Sequence, residues 1–246
     1  MRIVSCVLAI LCTSVSGLQL VSAQNTVALK DTQELREQNS KLFVFYSGNR
    51  TLDDYVDLQN AKKDESADQA IVISRNAPRE GVGANPNEKS REAYVLDATA
   101  NSDIIVVAEP LLRNSAATET RRFIFSDYEA VINRIFLARD VTVLPGQKIV
   151  VTRPGGILQY RGRTLVGSVP GFELFALNEP YMMFLRLLPN GTFLVVGESA
   201  YKMTDDQVEI DHERRNQKNG TKKLVPKDQF VEDVERAANR LGRTQN

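Results

Sequence analysis

Cysteine is nearly missing from this chain: of its 246 residues only Cys6 and Cys12 are cysteines. Both lie within residues 1–23, which read as a secretory signal, so the expected mature chain has none. That excludes a disulfide-stapled scaffold, a thiolate metal site and a cysteine nucleophile. Stability must then come from a packed core, and a mature chain of about 220 residues is long enough to build one. Tryptophan is absent and histidine occurs once, as His212. A Ser-His-Asp triad or a zinc centre would have to rest on that imidazole. It stands in the polar run Glu209-Ile210-Asp211-His212-Glu213, and no nucleophile-elbow motif accompanies it. One histidine without cysteine cannot supply the usual zinc ligands. No metal and no cofactor are expected.

An excess of either charge is lacking too, since 31 Lys and Arg balance 31 Asp and Glu. Loss of Arg2 with the signal leaves the mature chain close to neutral. There is no electrostatic footprint for nucleic acid or for an anionic membrane. The pairs Arg121-Arg122, Arg214-Arg215 and Lys222-Lys223 are separated in sequence and read as solvated faces. Nor does any segment reach the roughly 18 consecutive apolar residues of a membrane span. The short apolar stretch at 3–11 follows Arg2 and precedes Val21-Ser22-Ala23, small residues suited to a cut ahead of Gln24. Cys12 follows Ile10-Leu11, the wrong context for a lipid anchor. The expectation is a secreted or periplasmic protein.

What is present divides the chain into a signal peptide (1–23), a small N-terminal α+β segment (24–75), a linker (76–90) and a β-rich domain with a C-terminal helix (91–246). Residues 24–40 are polar and read as a flexible lead or frayed helix. Leu42-Phe43-Val44-Phe45-Tyr46 reads as a compact strand. Thr51 with Asp54 makes a capping pair for a helix up to Ala61, on which Leu52, Tyr55 and Val56 share a face. Residues 70–73 form a second short strand. Residues 76–89 hold two prolines and two glycines with hardly an apolar side chain, which marks a linker. The Gly81-Val82-Gly83 within it follows no strand and opens no helix, so it is no phosphate cradle. Residues 94–102 read as one or two helical turns, and Ile104-Ile105-Val106-Val107-Ala108 as a buried strand ended by Pro110 and a polar turn at 114–120.

The densest apolar and β-branched run is 121–156, and it reads as the central strand pair. Within it Ser126-Asp127-Tyr128-Glu129 fits a capping box, and Val131, Ile132, Ile135 and Phe136 recur at helical spacing, so a helix over 127–138 competes with a strand. As a strand, the apolar phase changes near Ser126, and a β-bulge there would reconcile the two halves. The β context on both sides favours the strand. Beyond it, 149–152 forms the second strand. A hairpin turns at Arg161-Gly162, and strands follow at 172–177, 181–188 and 192–196 around a Pro189-Asn190-Gly191 turn. Residues 201–210 read as a half-polar edge strand. Pro226 opens a closing helix with Phe230, Val231, Val234, Ala237, Ala238 and Leu241 on one stripe, ended by Gly242.

Asp103-Ile104-Ile105-Val106-Val107-Ala108, Phe123-Ile124-Phe125-Ser126-Asp127-Tyr128, Leu144-Pro145-Gly146-Gln147, Thr152-Arg153-Pro154-Gly155-Gly156 and Tyr181-Met182-Met183-Phe184-Leu185 together resemble a group of uncharacterised secreted bacterial proteins. The resemblance spans about 103–196. It implies an OB-like barrel similar to the netrin and metalloproteinase-inhibitor module. The motifs are turns and strands, and they name no chemistry. The inhibitor module depends on cysteines that are missing here, so inhibition does not carry over. The fold expected is mainly β (α+β): an OB-like antiparallel barrel or curved sheet closed by the C-terminal helix.

Few residues point to chemistry. Ser199-Ala200-Tyr201-Lys202 matches S-x-x-K, but its companion motifs stand in the wrong order and the helical domain they need is missing. Glu173 and Glu179 flank a turn, yet spacing in sequence cannot place two carboxylates about 5 Å apart. Asp53-Asp54 and Asp205-Asp206 lack the calcium-loop pattern. Asn49, Asn190 and Asn219 fit the glycosylation acceptor pattern. The candidate ligand-binding residues are Arg153, before the Pro-Gly-Gly turn, with Tyr160 and Arg161 on the neighbouring hairpin. Arg153 either covers the barrel rim with its stem or anchors an anionic group at the barrel mouth. The functional expectation is a non-catalytic binding or accessory module, with an unknown envelope or extracellular protein or glycan as partner. The alternative is a secreted hydrolase using carboxylates.

Overall fold

Residues that could have opened a helix are used differently in the computed structural model, where Ile124–Ala138 is one strand. The structure describes residues 32–43, 46, 48–61, 69–75, 91–210 and 223–242. The stretches read from sequence as a signal and a linker, and His212, lie outside these. In chain order the elements are α1 (Thr32–Leu42), α2 (Leu52–Ala61), β1 (Ile71–Ser74), α3 (Arg91–Ala100), β2 (Ile104–Ala117) and β3 (Ile124–Ala138). Then come β4 (Lys148–Pro154), β5 (Gly156–Tyr160), β6 (Arg163–Ser168), β7 (Tyr181–Leu187), β8 (Phe193–Lys202), β9 (Gln207–Ile210), β10 (Lys223–Pro226) and α4 (Lys227–Gly242).

Five strands close a barrel in the order β2-β3-β4-β8-β7. Every contact in it is antiparallel except β4 against β8. A three-strand meander followed by two strands, the last lying parallel to the third, is the circuit of an OB-type barrel. The expected mainly β fold with a packed C-terminal helix is therefore present. Its interior is filled by alternate residues: Ile104, Val106 and Ala108 of β2; Tyr128, Ala130 and Ile132 of β3; and Val151, Met183, Leu185, Phe193 and Val195 opposite.

β3 stays extended because it has a strand on each edge, β2 and β4. Its cap-like residues serve tertiary bonds instead: the Ser126 hydroxyl donates to the Gly155 carbonyl (2.8 Å), and Asp127 accepts from Asn39 (2.9 Å). No bulge sits at Ser126, where pairing with β4 is continuous from Phe125 to Val131. The aromatic residues on the other parity are buried because a second layer covers that face. Phe123 and Phe125 pack on the outside of the barrel against Phe43. The three shifts in register with β2 lie farther on: Leu111 of β2 is skipped opposite Glu129 and Ala130, and Asn133 and Phe136 of β3 are skipped beyond it. Ile135 thereby turns inward against the barrel core.

Other expectations are corrected by packing of the same kind. The apolar residues around 42–46 do not form the expected strand: Leu42 ends α1, Phe43 and Tyr46 follow in a turn, and 44, 45 and 47 lie outside the described residues. β2 does not stop at Pro110 but runs to Ala117. The Pro110 carbonyl accepts from Asn178, so its missing N–H falls on the edge away from β3. Residues 172–177 form no strand; a single bridge joins Val169 and Phe172. Nor is 201–210 one edge strand. Tyr201 belongs to β8 and is buried between the rings of Phe184 and Phe230, and only β9 continues, paired with β10. Pro226 ends β10, one residue ahead of the helix it was expected to begin.

α4 packs on the barrel wall with Phe230, Val234 and Ala237 against Tyr201, Phe184 and Val95. On another side, β1 joins the hairpin β5–β6 in a small sheet, pairing parallel with β6. α2 begins with the expected reciprocal cap: the Asp54 amide donates to Thr51 Oγ1 and the Thr51 amide donates to Asp54 Oδ2. Leu52 and Val56 of α2 pack with Ile73, Ile124 and Leu165. Pro154-Gly155-Gly156 makes this layering achievable. Gly155 holds φ +91°, and a Cβ on Gly156 would meet the Ser126 hydroxyl at 2.5 Å and the Ser115 hydroxyl at 2.7 Å.

Candidate functional site

The outer face of β3, β4 and β8 combines aromatic rings, a buried carboxylate and a polar turn. Strand alternation puts Phe125 and Asp127 of β3 on this face, with Phe123 just ahead of the strand beside them, because interior positions have the opposite parity. Thr152 of β4 lies opposite Asp127, and Leu194 of β8 lies beside Thr152 across the parallel contact. Val169 and Phe172, between β6 and β7, complete the apolar part. At one margin the turn 188–192 presents Asn190 and Thr192. Gly191 takes φ +83° there, and the Asn190 carboxamide oxygen accepts from the Thr192 amide and hydroxyl.

The end of α1 and the residues after it cover this face. Phe43 stacks on Phe125 with centroids 5.4 Å apart and planes 22° from parallel. Tyr46 stacks on Phe123 at 5.3 Å and 17°. Asn39 binds both sides of the polar half. Its Nδ2 donates to Asp127 Oδ1 at 2.9 Å, and its Oδ1 accepts from Asn190 Nδ2 at 2.8 Å and Thr192 Oγ1 at 3.3 Å. The Asn190 side chain is thus occupied, which matters for its acceptor pattern: a glycan cannot be carried there while α1 is docked.

Asp127 is the carboxylate whose chemistry the fold alters. Burial pushes its pKa up, because the charged form loses water; the Asn39 hydrogen bond, the nearby Thr152 hydroxyl dipole and the Arg36 charge pull the other way without winning. A carboxyl under such conditions exchanges protons nearer to neutrality than a solvated one. It accepts from the Asn39 carboxamide, and among the described residues no group of three or more His, Cys, Asp or Glu could hold a metal ion.

The residues singled out from sequence lie elsewhere, in two separate places. Arg153 has interior parity and is buried at the barrel mouth, its guanidinium carbon 4.1 Å from the Phe175 ring centre and 5.7 Å from that of Phe172. Phe175 in turn packs on Tyr128 and Tyr181, so residues 172–175 plug that end of the barrel. Tyr160 and Arg161 sit on the β5–β6 hairpin, whose turn has the two positive φ values of a type I′ connection, 49° at Arg161 and 75° at Gly162. They grip α2: the Tyr160 hydroxyl donates to Asp53 at 2.9 Å, and Arg161 pairs with Asp53 at 3.2 Å and Asp57 at 3.0 Å.

Ser199 and Lys202 lie three apart on β8 and so project to opposite faces; Lys202 pairs with Glu179. Asp54 is spent on its helix cap. The sequence puts Phe123 and Phe125 on one parity but marks no residue of this face as a candidate. Asn190 and Thr192 were visible only as a turn and an acceptor pattern, and Asn39, which carried no local signal, meets them through the docking of α1. No protein-family model matches this chain, and no curated protein matches it either.

Proposed function

We propose that the protein is a non-catalytic binding module of the extracellular space or cell envelope, and that it engages its partner through the β3–β4–β8 face and the adjoining turns. One observation carries this reading. The face holds a polypeptide segment as a binding site holds a ligand, by two ring stacks and a bridging amide rather than by an apolar helix stripe. The exported location rests on residues 1–23, and kinship with secreted OB-like proteins rests on the turn and strand motifs; the barrel circuit supports both kinship and the use of an outer strand face with its flanking loops. Fold analogy alone assigns no ligand.

The hydrolase alternative has Asp127 in its favour, because a raised pKa is what a general acid needs. It also requires a second carboxylate about 5 Å away in a retaining mechanism, or farther in an inverting one.

A photo-reactive residue placed at Thr120 or Asn190 should crosslink to an envelope component in the protein's own cells, and one at Asn239 on the exposed side of α4 should not. Turnover of a peptide or glycan library by the purified protein, with no crosslink from either rim position, overturns the binding reading.

A further inference from the structure

We propose that Asn39, Phe43 and Tyr46 are an internal stand-in for the external ligand, a polypeptide segment bearing a carboxamide or cationic donor followed by aromatic residues, which binds by displacing α1. The proposal rests on the binding reading above and specifies its ligand.

Three features lead to it. First, α1 is held in a way that can be undone. Between Glu34 and Lys41 its only buried residues are Asn39 and Ser40, and the Ser40 hydroxyl turns back onto the Glu37 carbonyl. The attachment includes the Asn39 bridge, the partly buried Leu42 at the end of the helix and the two ring stacks beyond it. Hydrogen bonds of this kind contribute about 1 kcal/mol net each, so the arm can open locally while the barrel stays folded. Second, what opening would uncover is prepared for a partner: a carboxylate beside the phenyl rings of Phe125 on the same strand and Phe123 just before it, flanked by the Asn190 and Thr192 side chains. Third, the contacts define the ligand class. The rings of Phe43 and Tyr46 lie within 22° of parallel to Phe125 and Phe123, which is how an arene side chain packs. A phosphate backbone would meet the Asp127 carboxylate without a neighbouring excess of positive charge. A cationic or amide donor would compensate that carboxylate directly.

The probe is a synthetic peptide with the sequence of residues 32–46. It is titrated against the full chain and against the full chain carrying Asn39→Ala, Phe43→Ala and Tyr46→Ala, which leaves Phe123, Phe125 and Asp127 in place. An intramolecular occupant competes at high effective concentration, so the peptide should bind the substituted chain at least about tenfold more tightly. A peptide with both aromatic residues replaced by alanine should lose that binding. Should the triple variant fold poorly, hydrogen exchange on the unmodified chain decides: saturating peptide should speed exchange of the α1 amides and leave β3 protected. Equal affinity for both chains, or unchanged α1 exchange, overturns the proposal. So does binding of an oligosaccharide panel, and not the peptide, to the vacated face. Rim crosslinks that persist when the peptide fails would leave the binding face standing and remove only the stand-in.

Discussion

Two helices dock on the outside of one barrel, and they do so by opposite chemistry. α4 presents Phe230, Val234 and Ala237 to a hydrophobic cluster that includes Tyr201, Val208 and Ile210. Its one buried charge, Asp233, accepts from both Arg91 and Arg236. α1 presents Asn39 and Ser40, with the aromatic contacts coming only after the helix ends. Burial of apolar area is non-directional and large, so α4 belongs to the cooperative core. Directional polar contacts contribute little net energy but demand a matching partner, which suits an element that is exchanged.

The largest effect that would sharpen this contrast is at the two buried phenylalanines. Phe230→Ala should lower global stability by about 3–5 kcal/mol, read as a shift of the whole denaturation curve. Phe43→Ala, equally buried, should cost the global transition much less, because the arm can release and cap the loss. Equal shifts for the two would break the comparison. Asn39→Ala should have a middle effect, about 1–2 kcal/mol, and it should appear as faster exchange in α1 rather than as a lower midpoint. The smallest effect concerns pH. Burial raises the Asp127 pKa, so its contribution to the folded state is fully present below the ordinary carboxylate value of about 4. It weakens as pH rises from there through the raised native value. Asp127→Asn keeps an acceptor for Asn39 and removes the titration, so the pH profile of the denaturation midpoint should lose this component.

Much of the barrel was legible in the residues. Asn190-Gly191 and Arg161-Gly162 name tight turns through positive φ, and Pro154-Gly155-Gly156 marks the place where one sheet crosses closely over another. The α4 stripe and the Thr51–Asp54 cap were equally plain, because both are governed by contacts within four residues. The departures cluster where a second layer covers a strand. Phe123 and Phe125 look out of phase only if the outer face of β3 is taken to be wet. A short apolar run such as 42–46 has the same pattern in a strand and in a covering turn. Here Phe43 and Tyr46 stack on rings of Phe125 and Phe123, 77 or more residues away in sequence, and local pattern carries no record of that.

By itself the sequence determined the turns, the alternation and the single apolar stripe, since each follows from φ preference or from the period of a local element. It also set the side chains folding had to work with, among them one histidine, no tryptophan and two cysteines within residues 1–23. Only the tertiary structure decided that Tyr160 and Arg161 grip α2, that Arg153 is sealed under Phe175, and that Asn39 meets Asp127. Those pairings join positions up to 108 residues apart. They exist because the closed strand circuit sets which faces meet, and a raised carboxylate pKa is created by that burial rather than by any neighbour in the chain.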